Sequence, residues 1–192
     1  DMAHLEQLLQ QVPEKAGKLI ITDGVFSMTG HLAHYDRIFE LAQEYGARTY
    51  IDDAHGLGVI GRGGRGTASH FNLPADITMG TFSKSFASQG GFIVGNKEII
   101  SWLRHKARTF IFSAALAPAS TAAAMAALDV LEKEPQLVDK AMANAEYLKR
   151  GFAELGLNTM GTETTIVPVF IGDDPVALGV CETLLRLGIF TT

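Results

Sequence analysis

One lysine stands in a setting suited to a nucleophilic amine. The stretch Met79-Gly80-Thr81-Phe82-Ser83-Lys84-Ser85-Phe86-Ala87-Ser88-Gln89-Gly90-Gly91 surrounds it with small and hydroxyl residues. Apolar runs flank it, Ala75–Met79 before and Phe92–Val94 after. A loop held between two short strands positions a functional group better than a free surface loop does. Thr81, Ser83 and Ser85 supply hydroxyls, and the glycines let backbone N–H groups approach a ligand, so a phosphate fits beside Lys84. Taken alone, the stretch also reads as a surface loop with a solvated lysine.

A second group is Asp52-Asp53-Ala54-His55-Gly56, where a carboxylate and an imidazole three residues apart can face one site. Several chemistries use such a pair. A metal site would take Asp52, Asp53 and His55 as ligands and needs more, for which His31 and His34 are the nearest candidates. A hydrolase needs a serine or cysteine nucleophile, but there is no Gly-x-Ser-x-Gly elbow and Cys181 lies far along the chain. A P-loop is excluded, because Lys84 lacks the preceding Gly-x-x-x-x-Gly. A purely structural reading has Asp52 capping a turn and His55 satisfied within a local network. A last reading uses both groups at once. A lysine amine forms a Schiff base with an aldehyde cofactor, a carboxylate holds a protonated pyridine nitrogen, and hydroxyls hold a phosphate. That donor set describes pyridoxal 5′-phosphate. Asp52 suits the pyridine nitrogen, since an adjacent carboxylate favours its charged form. His55 can hydrogen-bond the phenolic oxygen of the ring.

The elements that position these groups alternate. Ala3–Lys15 has Leu5, Leu8, Leu9 and Val12 at helical spacing, and Leu19–Thr22 is a short strand leading to the loop Asp23–Gly30. Tyr35–Tyr45 is an amphipathic helix stopped by Gly46, and Ala47–Ile51 is a strand that runs into Asp52. Ala75–Met79 and Gly91–Gly95 are strands on either side of Lys84, and Lys97–Arg108 is a helix. Alternating apolar strands and helices indicate an α/β domain on a mostly parallel sheet. In such sheets ligands collect beyond the carboxyl ends of the strands. The loops bearing Ser27, Asp52 with His55, and Lys84 therefore share one edge. Beyond Phe112, Pro118–Lys133 reads as an alanine-rich, largely buried helix and Gln136–Leu155 as a second helix. Thr165–Ile171 reads as a strand and Pro175–Leu187 as a helix capped by Gly188. The boundary falls near Glu134-Pro135, giving residues 1–134 as part of a large domain and 135–192 as the beginning of a smaller α/β domain.

The chain has 192 residues, 47% hydrophobic, with a formal charge of −5, enough for a substantial core. Basic residues do not cluster as nucleic-acid binding requires, and the single Gly61-Arg62-Gly63-Gly64-Arg65-Gly66 segment reads as a turn. One cysteine forbids an internal disulfide and fits a reducing compartment such as the cytoplasm. No apolar run reaches membrane-spanning length, and no signal-peptide pattern is visible. The chain opens without methionine and closes on Gly188-Ile189-Phe190-Thr191-Thr192, which reads as a strand just beginning, so a piece of a longer protein is expected.

Four motifs occur together and in order: Asp23-Gly24-Val25-Phe26-Ser27-Met28, Asp52-Asp53-Ala54-His55-Gly56, Gly64-Arg65-Gly66 and Gly80-Thr81-Phe82-Ser83-Lys84-Ser85-Phe86. In these the chain resembles the α-oxoamine synthases, fold-type I pyridoxal-phosphate enzymes that condense an amino acid with an acyl-CoA and release carbon dioxide. The resemblance implies Lys84 as the Schiff-base lysine, Asp52 on the pyridine nitrogen and His55 near the phenolic oxygen. It implies Thr81 and Ser83 as phosphate contacts and Ser27 near the ring. It also implies a homodimer with a shared active site, in which Ser113 and the Ala114 backbone reach the phosphate of the other subunit. The lysine segment followed by Gly90-Gly91-Phe92 resembles most the serine palmitoyltransferase type, of sphingolipid metabolism. The 8-amino-7-oxononanoate synthase type, of biotin biosynthesis, and the glycine C-acetyltransferase type are the alternatives. A pyridoxal-phosphate aminotransferase and a non-catalytic partner subunit are alternatives of other classes. Where the family often has aspartate after Gly30, this chain has His31. The family's ring-stacking histidine and glycine-rich phosphate loop would precede residue 1, and its substrate-carboxylate arginine would follow residue 192.

Overall fold

The computed structural model describes residues 1–191. In chain order the elements are α1 (Met2–Gln11), β1 (Leu19–Asp23), α2 (Tyr35–Glu44), β2 (Arg48–Asp52), α3 (Thr67–Phe71), β3 (Ile77–Thr81) and β4 (Gly91–Gly95). They continue with α4 (Lys97–Lys106), α5 (Arg108–Ile111), α6 (Pro118–Lys133), α7 (Gln136–Glu154) and α8 (Asp174–Arg186). A 3₁₀ turn, Arg62–Gly64, precedes α3. The sheet order is β1-β2-β3-β4, with β1, β2 and β3 parallel and β4 antiparallel to β3. This is the expected α/β architecture on a mostly parallel sheet.

The core lies where α1 and α2 cover one face of the sheet. Leu9, Ile20, Tyr35, Ile38, Leu41, Ala42 and Ile51 form it. Strand alternation puts Thr49, Ile51 and Asp53 on the buried side of β2, and Arg48, Tyr50 and Asp52 on the other. The Tyr35 hydroxyl donates to the Pro74 carbonyl at 2.7 Å and pairs with Thr49 Oγ1, which anchors α2 to the segment entering β3. That segment is not itself strand. Asp76 accepts from Arg48 and from the Thr49 backbone and hydroxyl, so β3 starts at Ile77, two residues later than the apolar run suggests.

Five further expectations change. Helix α1 ends at Gln11, and α4 stops at Lys106 before the separate turn α5. Helix α6 forms as expected but is not largely buried, since Ala124 is its only buried residue. Alanine favours the helix by propensity and does not require a partner. Residues 165–171 form no strand. Hydroxyls hold this stretch instead: Thr162 and Thr164 both donate to the Gly30 carbonyl, at 3.0 and 2.8 Å, and the Ile166 N–H donates to Thr164 Oγ1. The expected strand opening at Gly188–Thr192 is not seen over its described residues 188–191, and Thr192 lies outside them.

Candidate active site

The parallel pairing aligns the ends of the first two strands. Asp23 faces Asp52 across β1 and β2, and Asp52 faces Met79 across β2 and β3. The ladder runs one step further: the Gly24 N–H donates to the Asp52 carbonyl at 2.8 Å, and the Asp53 N–H to the Met79 carbonyl at 2.9 Å. The three loops therefore leave from one edge. Asp52 Oδ1 accepts from the Ala54 N–H at 3.1 Å, while Oδ2 takes no protein donor among the described residues. That oxygen is available to an N–H donor from a ligand.

His55 reports how the groups converge. Its pKa is lowered, first by burial and then by the positive charge of Lys84, against the opposing pull of Asp23 and Asp52. The imidazole is therefore neutral near pH 7, and Lys84 is close enough for its charge to be felt. Replacing Lys84 with methionine removes one of the two lowering causes, so the His55 midpoint should move up. An NMR titration of the ring in the intact protein measures this, and an unmoved midpoint would mean that the two side chains do not share a site.

The Lys84 loop is pinned at several points. The Phe82 N–H donates to the Gly90 carbonyl at 2.9 Å, and the Ser88 N–H to the Phe82 carbonyl at 2.8 Å. Beneath it, Phe82 packs on Phe86 and Phe92 with ring centroids 5.8 and 5.3 Å apart, and Phe86 is buried. Lys84 itself is exposed and forms no ion pair among the described residues. Thr81 Oγ1 lies 2.7 Å from Ser83 Oγ, and the Ser83 N–H donates to Thr81 Oγ1 at 3.2 Å. The Thr81 hydroxyl also donates to the Gly90 carbonyl at 3.1 Å, so the pair forms a small polar cradle beside the lysine in which the Ser83 hydrogen can turn toward an anion.

Other expected residues stand further off. Ser27 is exposed on a tight turn closed by Phe26 N–H to His31 O, at 2.9 Å, and Gly30 N–H to Phe26 O, at 2.8 Å. Its loop reaches the shared edge, but its side chain bonds none of the other site residues. Ser113 and Ala114 are exposed, and the Ser113 hydroxyl donates to the Thr109 carbonyl. Helix α6, which follows their segment, is tied to the lysine loop through Ser88 Oγ to Ser120 O, at 2.6 Å. His31, the departure from the family pattern, uses Nε2 to donate to the Met160 carbonyl at 2.8 Å. A carbonyl only accepts, which fixes the protonated nitrogen.

Three residues of the site region have structural roles that the motifs do not announce. Ser85 Oγ donates to the Leu57 carbonyl at 2.7 Å and joins the lysine loop to the His55 loop. Asp53, one of the supposed metal ligands, turns inward and accepts from the Thr67 N–H at 2.9 Å and from Thr67 Oγ1 at 2.7 Å. Burial raises its pKa despite those two donors. Among the described residues no group of three His, Cys, Asp or Glu side chains is placed to hold a metal ion.

The model of the aminotransferase class I and II family matches residues 1–191. This chain belongs to that family. Within it, the chain is 47% identical to serine palmitoyltransferase of Bacteriovorax stolpii over 195 residues, covering 100% of this chain and 46% of that protein. It is 46% identical to 8-amino-7-oxononanoate synthase of Thermoanaerobacter pseudethanolicus, covering 99% of this chain and 49% of that one. The chain thus spans about half the length of the curated relatives it matches. Among solved structures, Sphingomonas wittichii serine palmitoyltransferase superposes with a TM-score of 0.92 at 30% identity, covering 100% of this chain and 49% of that one. A structure described as SPT with PLP superposes with a TM-score of 0.91 at 31% identity, over 99% of this chain and 49% of that one. The fold-type I expectation is borne out, and the relatives are those that the motifs suggested.

Proposed function

We propose that the protein to which this chain belongs is a pyridoxal-phosphate-dependent α-oxoamine synthase, of the serine palmitoyltransferase type. It would condense an amino acid with an acyl-CoA thioester. One C–C bond forms between the amino acid α-carbon and the thioester carbonyl carbon, the thiol of coenzyme A leaves, and carbon dioxide is lost. The observation that carries this reading is the convergence of Lys84, Asp52 and His55 on one strand edge beside a two-hydroxyl cradle.

The donor set fits the cofactor group by group. Lys84 Nζ is an exposed amine without an ion pair among the described residues, suited to the aldehyde carbon. Asp52 Oδ2 has no protein donor among them, suited to a protonated pyridine nitrogen. His55 is neutral and can hydrogen-bond the phenolic oxygen. Thr81 and Ser83 would hold the phosphate, and Ser27 would lie near the ring. Bound there, pyridoxal phosphate supplies the electron sink that stabilises negative charge at the amino acid α-carbon. Lys84 Nζ would take the proton from that carbon, a general-base role open to an amine on a pinned loop. Asp52 would hold its proton partner in place throughout.

The same reading covers the assembly. We propose a homodimer in which Ser113 and the Ala114 backbone serve the partner's phosphate, supported by their exposure and by the Ser88–Ser120 bond that holds the following helix, α6, to the lysine loop. Residues 1–134 would belong to the large domain and 135–192 would open the smaller one, with Pro135 starting α7. No helix among the described residues is long and apolar enough to cross a membrane. The free Cys181 fits a reducing compartment, and the cytoplasm is the one proposed.

A panel assay tests the reaction. Serine, glycine and alanine are each paired with short and long acyl-CoAs, and coenzyme A release is followed. Serine with a long acyl chain should give the fastest release. Fastest release with alanine and a carboxyl-terminated acyl-CoA would instead indicate the 8-amino-7-oxononanoate synthase type, and with glycine and acetyl-CoA the glycine C-acetyltransferase type. Amino-group transfer to a keto acid with no coenzyme A release would overturn the acyltransferase reading in favour of an aminotransferase.

A further inference from the structure

We infer that Asp53 and Thr67 form a buried clasp that sets the positions of Asp52 and His55, so that both are positioning residues of the active site. The inference rests on the proposed roles of Asp52 and His55.

The clasp is built from three separate segments. Asp53 is 1% exposed and Thr67 0% exposed. Both Asp53 oxygens are occupied by Thr67, Oδ2 by the backbone N–H and Oδ1 by the hydroxyl. Thr67 is the first residue of α3, so the carboxylate also anchors the start of that helix. Glycines from three places close around the pair. A methyl group at Gly56 would overlap Asp53 Oδ1, and one at Gly66 would overlap Oδ2. One at Gly24 would overlap Thr67 Oγ1 and come within 2.7 Å of Asp53 Oδ1. Gly66 also has φ +86, a conformation that favours glycine. Gly24 leads the Ser27 loop, Gly56 follows His55, and Gly66 precedes α3. The backbone of Asp53 continues the connection: its N–H donates to Met79 and its carbonyl accepts from Gly56 and Leu57, at 2.9, 3.1 and 2.9 Å.

The consequence concerns the neighbours on either side. Asp52 and Asp53 are consecutive at the end of an extended segment, so their side chains point to opposite sides. Fixing one carboxylate against Thr67 therefore aims the other toward the loop edge. His55 lies between Asp53 and Gly56, and Gly56 is held within van der Waals reach of the clasp. A misplacement of about 1 Å in groups of this kind is enough to lower catalysis about 100-fold.

The test uses the intact protein with Thr67→Val, Thr67→Ser and Asp53→Asn. Valine keeps the shape of threonine but cannot donate to Oδ1, while serine keeps the hydroxyl. The first readout is the His55 titration by NMR, taken without added pyridoxal phosphate. The second is the pH dependence of the absorbance band of bound pyridoxal phosphate. We expect Thr67→Val and Asp53→Asn to move the His55 midpoint and the band's pH profile, and Thr67→Ser to restore both. A drop in thermal stability with both readouts unchanged would mean a purely structural clasp and would overturn the inference. If the unmutated protein bound no pyridoxal phosphate, the proposed function would fail, and the His55 titration would still decide the clasp. Should Asp53→Asn not fold, the Thr67 pair carries the same decision.

Discussion

Lys84→Ala is expected to abolish coenzyme A release from an amino acid and an acyl-CoA, a loss of at least about 100-fold. The expectation follows from what else could do the lysine's work. Among the described residues, the groups at the shared edge are Asp23, Asp52, His55 and the hydroxyls of Ser27, Thr81 and Ser83. None of them is an amine, so none can form the carbon–nitrogen linkage to an aldehyde cofactor. The fold should survive the change. Lys84 is exposed and makes no ion pair among the described residues, and the loop is held by Phe82, Phe86, Ser85 and Ser88 rather than by the lysine. Two measurements separate the outcomes. Borohydride should trap cofactor on the unmutated protein and not on the variant, and circular dichroism of the two should coincide. Normal turnover together with a reducible linkage in the variant would remove Lys84 from the chemistry.

Much of this arrangement is readable along the chain because it depends on local patterns. The apolar run at Leu19–Thr22 and the strand-like segment Ala47–Ile51 mark two parallel strands, and small residues mark the loop after the third. Parallel strands then bring their carboxyl ends together whatever lies between them in sequence. What the pattern hides is the work of buried polar groups. Asp53 and Thr67 are 14 residues apart and meet only because the Gly56–Gly66 segment doubles back. One signal was available: Thr49, Ile51 and Asp53 alternate on the buried side of β2, so Asp53 could not share a face with Asp52. That alternation also weakens the metal reading, which needs both carboxylates on one side. The missing strand at residues 165–171 has a different cause. A continuous apolar run favours extended backbone but cannot supply a neighbour to pair with, and here the hydroxyls of Thr162 and Thr164, just before it, donate to the Gly30 carbonyl instead. Likewise, alanine enrichment in α6 predicts the helix correctly and says little about what covers it.

Asp52→Asn should leave a protein that folds and binds cofactor but turns over on the order of 100- to 1000-fold more slowly. Asparagine has nearly the same shape, and its amide oxygen can keep the one bond that Asp52 Oδ1 makes, from the Ala54 N–H at 3.1 Å. Only the atom at Oδ2 changes in kind, from an acceptor with negative charge to an N–H donor. No protein donor among the described residues occupies Oδ2, so the loss falls on the ligand and not on the fold. A protonated pyridine nitrogen would then face a donor rather than a carboxylate, and its charged form would be disfavoured. The electron sink would weaken with it, while the proposed attachment through Lys84 and the proposed phosphate contacts of Thr81 and Ser83 would be untouched. The fall should therefore appear in kcat more than in the amount of cofactor bound. Cofactor occupancy is read from absorbance and borohydride trapping, and kcat from coenzyme A release. Unchanged kcat at full occupancy would rule out Asp52 as the partner of the pyridine nitrogen. Loss of occupancy with kcat per bound cofactor preserved would give Asp52 a binding role alone.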